Sequence, residues 1–117
     1  MNDGSVFRPG DLDAAVDMPS GLLRLHRQNL MDLTPWHLLT REAALQRLRG
    51  LRRRYARKYV PIARRQDNDD VACLDPSLPG EVVIIHDFAS EGTEPRAQFK
   101  SFWDWFRLVI EDMIDFE

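Results

Sequence analysis

The hydrophobic pattern changes period along the chain. At Val82-Val83-Ile84-Ile85-His86-Asp87-Phe88, four β-branched residues run together between Pro79-Gly80 and the breakers Ser90, Gly92 and Pro95. Branching at Cβ restricts χ1 and suits a pleated surface, and both faces of the run are apolar. It predicts an interior strand covered on both sides. Val71-Ala72-Cys73-Leu74-Asp75 reads as the strand before it, with Pro76-Ser77-Leu78-Pro79-Gly80 as the turn of a β-hairpin. Pairing across that turn would set Cys73 opposite Val82 or Val83, and His86 opposite Asp69 or Asp70. Tyr59-Val60-Pro61-Ile62-Ala63 is a further extended segment. Pro61 lacks a ladder donor, which predicts an edge position. Glu91 to Pro95 reads as a loop.

Elsewhere the apolar spacing is helical. Ser20 stands before a face holding Leu22, Leu25, Leu23 and Leu30, with His26 on the surface. Thr34-Pro35 predicts a helix start, with Trp36 as a core anchor. Thr40 caps the next helix, which runs to about Arg57 with Leu45, Leu48, Leu51 and Tyr55 as its buried stripe. Gly50 in its middle costs about 1 kcal/mol against Ala. Ser101-Phe102-Trp103-Asp104 is a capping box that opens the last helix. Its face of Phe102, Phe106, Val109, Ile110 and Met113 should lie on the sheet, with Trp103 and Trp105 towards the flanks. Residues 1–19 look like a loosely held lead-in, in which Asp11 to Met18 could form a helical turn. Residues 20–117 then form one α+β domain: an antiparallel twisted sheet with a central hairpin, packed against N-terminal helices and an aromatic-rich C-terminal helix.

The length of 117 residues suits a single domain, and the 44% hydrophobic and 30% charged fractions are globular values. No apolar run approaches the roughly 20 residues of a membrane span. The first residues lack the basic and apolar regions of a secretion signal, and Cys73 has no second cysteine to pair with. A cytoplasmic location is the expectation. The net charge of -3 hides an asymmetry. Residues 34–66 carry ten cations against Glu42 alone, and residues 67–117 carry thirteen acids against Arg96, Lys100 and Arg107. Such blocks either neutralise each other within the fold or present charged faces to partners. The arginines lack the aromatic interleaving and Gly-rich loops of nucleic-acid modules, which argues against a nucleic-acid partner.

Candidate chemistry is sparse. Cys73, His86 and Asp87 suggest a cysteine nucleophile, but hairpin pairing leaves Cys73 and His86 about 10 Å apart along the strands. Cys73 therefore reads as a small core residue. Asp67, Asn68, Asp69 and Asp70 lack the alternation, central Gly and distal Glu of a calcium loop. No catalytic residue, metal or cofactor is expected. The acidic side of the last helix suits a partner better: Glu111, Asp112 and Asp115 with Trp105 at its edge, and Asp69 and Asp70 on the sheet, are the candidate contacts.

From Gln66 to Asp75, through Val83-Ile84-Ile85-His86-Asp87-Phe88-Ala89-Ser90, to Ser101-Phe102-Trp103-Asp104-Trp105-Phe106, the chain resembles the SUKH superfamily. Thr34-Pro35-Trp36 and Tyr59-Val60-Pro61-Ile62-Ala63 add to the likeness, which covers about residues 33–117. These are relatives of a fungal cell-wall-synthesis regulator and of bacterial toxin-immunity proteins. The resemblance implies an α+β fold without catalytic residues, and a protein that neutralises a polymorphic toxin, often a nuclease, by binding it. The alternative is a regulatory or scaffolding domain with no toxin partner. Residues 1–32 have no clear counterpart in the family's pattern, and neither oligomeric state nor the partner's identity is legible.

Overall fold

The computed structural model describes residues 7–13 and 15–116. Among them the elements run α1 (Ser20–Arg27), β1 (Asp32–Leu33), β2 (Trp36–Leu38), α2 (Arg41–Arg54), β3 (Val60–Arg65), β4 (Asp70–Leu74), β5 (Val82–His86), β6 (Pro95–Phe99) and α3 (Phe102–Asp115). The six strands form one antiparallel sheet whose spatial order follows the sequence, β1 to β6.

The β4–β5 hairpin takes the expected register, with Cys73 opposite Val83 and Asp70 opposite His86. Val82, Val83, Ile84 and Ile85 are all buried, because the sheet is covered on both sides. Side chains alternate across a strand. Val71, Cys73, Val83 and Ile85 therefore pack with Leu51 of α2 and with Tyr55, which caps its C-terminal end. Ala72, Leu74, Val82 and Ile84 pack with Leu22 and Leu25 of α1 and with Phe102, Trp105 and Val109 of α3. Gly21 permits this second layer: a Cβ there would stand 2.5 Å from the Phe102 ring, so glycine lets α1 close onto α3.

Several expectations are corrected. Thr34-Pro35 does not start a helix. It is the turn between β1 and β2, closed by a cis peptide bond and by the Asp32 carboxylate, which accepts from the Thr34 N–H and hydroxyl. β3 is not an edge strand, since it lies between β2 and β4. β2 reaches only Ala63, Arg64 and Arg65, and the register to β4 shifts between Pro61 and Ala63. The missing donor of Pro61 thus falls outside the regular ladder on the β2 side. β6 was not foreseen, and His26 is buried rather than on the surface. The Ser20 side chain makes no capping bond, and Pro19 holds the cap position.

The described part of the lead-in is not loose and contains no helix. Phe7 is buried in the core, and Leu12, Val16 and Met18 pack against it. Asp11 receives two bonds from Arg41, at 2.8 and 2.9 Å. Asp13 receives two from Arg52, at 2.7 and 2.8 Å, and these hold its carboxyl far below the usual carboxylate range. Residues 1–6 and Ala14 lie outside the described part.

Candidate interaction surface

Two local devices place α3. Ser101 Oγ accepts from the Asp104 N–H at 3.2 Å, while the Asp104 carboxylate accepts from Arg107 at 2.8 Å. Tertiary contacts then set the rotation of the helix, and it differs from the expected one. The inward positions are Phe102, Trp105, Val109 and Asp112. Trp105, expected at the edge of the partner face, is fully buried. Its ring meets Trp36 edge-on, with centroids 5.7 Å apart and planes at 84°. Asp112 is also turned inward, where it accepts from Trp36 Nε1 and from Arg65, both at 2.9 Å. A larger ring and two directed bonds on one side outweigh the stripe that began Phe102, Phe106.

The consequence is an apolar ridge facing water. Trp103, Ile110 and Ile114 lie seven and eleven residues apart on one line of the helix. They are 38%, 39% and 70% exposed, with Met113 beside them at 37%. Ile110 and Met113, expected on the sheet, therefore face solvent. The opposite flank carries Asp104, Glu111 and Asp115, all exposed. Of the six residues singled out from the sequence, Glu111 and Asp115 lie on this outer side. Asp69 is exposed on the β3–β4 turn, and Asp70 lies 3.1 Å from His86 Nδ1. The surface signal was carried by Trp103, not Trp105; sequence spacing leaves these two indoles equivalent until a partner for one is known.

The charge blocks neutralise each other in part: Arg47, Arg54, Arg57 and Arg65 meet acids of residues 67–117. Arg57 pairs with Asp75 at 2.7 Å, and Arg65 bridges Asp67 and Asp112. The most enclosed of these contacts is at Asp87, just past β5. Its carboxylate is fully buried and accepts from Arg47 at 3.0 Å, from Arg54 at 2.8 and 2.6 Å, and from the Phe88 N–H at 2.8 Å. Burial is the largest influence on this carboxyl and pushes its pKa up. The bonds from Arg54, Phe88 and Arg47 outweigh burial and leave it below the ordinary value. The loop beyond is tied to the end of α2 by Tyr55 Oη to the Ala89 carbonyl, at 3.1 Å, and by the Ala56 N–H to Glu91, at 2.7 Å. Tyr59 Oη donates to the buried Glu94 at 2.6 Å.

Cys73 does not meet His86. The thiol belongs to the buried cluster that also holds Leu51, Tyr55 and Tyr59, and burial pushes its pKa far up, which disfavours the nucleophilic thiolate. No helix among the described residues is long and apolar enough to cross a membrane. Compared with protein-family models, curated proteins and solved structures, the chain matches none.

Proposed function

We propose that this chain is a non-catalytic, cytoplasmic binding protein of immunity type. It neutralises a cognate toxin by covering the toxin's active surface with the outer face of α3. The observation that carries the reading is the uncovered row of Trp103, Ile110, Met113 and Ile114. Four large apolar side chains on one helix face are the centre of an interface, not an ordinary solvated surface. The acids Asp104, Glu111 and Asp115 along one flank call for a partner with lysines or arginines beside an apolar groove. A nuclease, whose active surface is built to meet phosphates, has that character. The SUKH likeness of residues 33–117 supports the same reading.

The test is capture of the product of the adjacent gene, followed by titration against variants. Trp103→Ala with Ile114→Ala should weaken binding about 100-fold. Glu111→Ala with Asp115→Ala should chiefly slow association and flatten its dependence on salt. Unchanged affinity in the apolar pair would remove α3 as the contact. Capture of no toxin would favour the alternative, a regulatory or scaffolding domain.

A further inference from the structure

On the opposite side of the sheet from α3, a groove of about 510 Å³ runs between α2 and the loop after β5. Its walls carry Arg47, Arg53 and Arg54 from α2, Arg64 from β3, and Phe88. Four guanidiniums stand against one carboxylate, Asp87, so the groove keeps an excess of three positive charges. Arg53 and Arg64 are exposed and have no acceptor among the described residues. Arg47 and Arg54 are a quarter exposed and clamped from behind by the buried Asp87, which fixes their planes without neutralising both. Gly50 makes the clamp possible. A Cβ there would stand 2.8 Å from the Arg54 guanidinium nitrogens, so glycine clears the path along which Arg54 folds back.

Phe88 is the second, independent observation. It is 62% exposed and has a φ of +66°, in the left-handed region that a bulky residue rarely occupies. Its N–H is held by Asp87, and Arg54 stacks 4.1 Å from the ring centroid. A large apolar ring is thus held out at the rim of a cationic groove at a backbone cost of about 1–3 kcal/mol. Leu39 and Ala43 supply an apolar floor.

We propose that this groove binds a phosphorylated small molecule of nucleotide type. The phosphate lies on Arg53, Arg64 and the free edges of Arg47 and Arg54; the flat ring lies against Phe88. Guanidinium matches phosphate in a planar, bidentate fashion, and an open aromatic face takes a base by stacking. The volume suits a ligand of that size. The site is separate from the α3 face, so it stands or falls independently of the proposed partner.

The experiment is an amide-resolved NMR titration of the full chain with AMP, with adenosine and with inorganic phosphate. AMP should shift the amides of Gly50, Arg53, Arg54 and Phe88, and bind about tenfold or more tightly than either fragment. Arg53→Ala with Arg64→Ala should weaken AMP at least about tenfold with far-UV dichroism unchanged, since neither arginine has an internal acceptor. Phe88→Gly should weaken AMP but not inorganic phosphate, and it relaxes the backbone rather than straining it. No groove shifts with AMP at about 10 mM overturns the proposal, given that such affinities are the weak end of specific binding. Equal affinity in the double arginine variant overturns it as well. So does binding of a single-stranded RNA oligomer without binding of AMP, which would make the groove a polymer track.

Discussion

Replacing Asp87 by Asn tests the central electrostatic claim. The substitution keeps the volume of the side chain and removes the charge that two guanidiniums share. The carboxylate is fully buried, while each arginine is a quarter exposed. Breaking a fully buried pair costs roughly 3–5 kcal/mol; partial access of water to the arginines lowers that to about 2–4 kcal/mol. For 117 residues this is a fall in Tm of roughly 8–16 °C. Urea unfolding followed by Tyr and Trp fluorescence gives the free energy directly. The pH dependence supplies a second reading. The folded carboxyl ionises more readily than an unfolded one. Its contribution is whole above the unfolded value of about 3.9 and is lost as pH falls through the lower folded value. The gap between wild type and Asp87→Asn should therefore close in acid and stay constant from pH 5 to 7. A triple variant, Arg47→Met, Arg54→Met and Asp87→Leu, should regain most of the loss, because an apolar replacement leaves no charge unpaired. A loss below about 1 kcal/mol in Asp87→Asn would refute the reasoning, since that is the scale of an exposed pair.

Two further outcomes follow from the core. Trp105→Ala should cost about 3–5 kcal/mol, and Trp105→Phe markedly less, because the indole N–H makes no hydrogen bond within the described residues; equal losses, measured by urea unfolding, would mean the N–H matters. The Cys73 thiol should react with a disulfide reagent only at the rate of global unfolding; fast native-state labelling would contradict its placement.

The hairpin was legible in the sequence because local and long-range preferences agree there. Four β-branched residues between Pro-Gly and further breakers have few alternatives, and alternation fixes the register. The cap of α2 was equally plain, with Thr40 accepting from the Ala43 N–H at 3.3 Å. Much of what escaped depends on partners far along the chain. The rotation of α3 is decided by Trp36 and Arg65, which periodicity within residues 102–115 does not contain. The β1–β2 turn rests on the Asp32 side chain, a local bond that competes with helix initiation at Thr34. β6 has one aromatic and no β-branched residue in Pro95–Phe99, so its extended form comes from β5 beside it rather than from its own preference. The Asp87 clamp left a trace that sequence reading missed. A lone acid follows directly on an apolar strand, and Arg47 and Arg54 lie seven residues apart, on one helix face.

The meandering order of the sheet leaves two rims, and both are poor templates for a second chain. β1 is two residues long, and β6 begins with a proline and presents Arg96 to water. A very short strand, and a proline with an exposed charge on an edge, are devices that blunt pairing with a neighbour. Copies of this chain, and extended peptides, thus meet a truncated template at one rim and a charged one at the other.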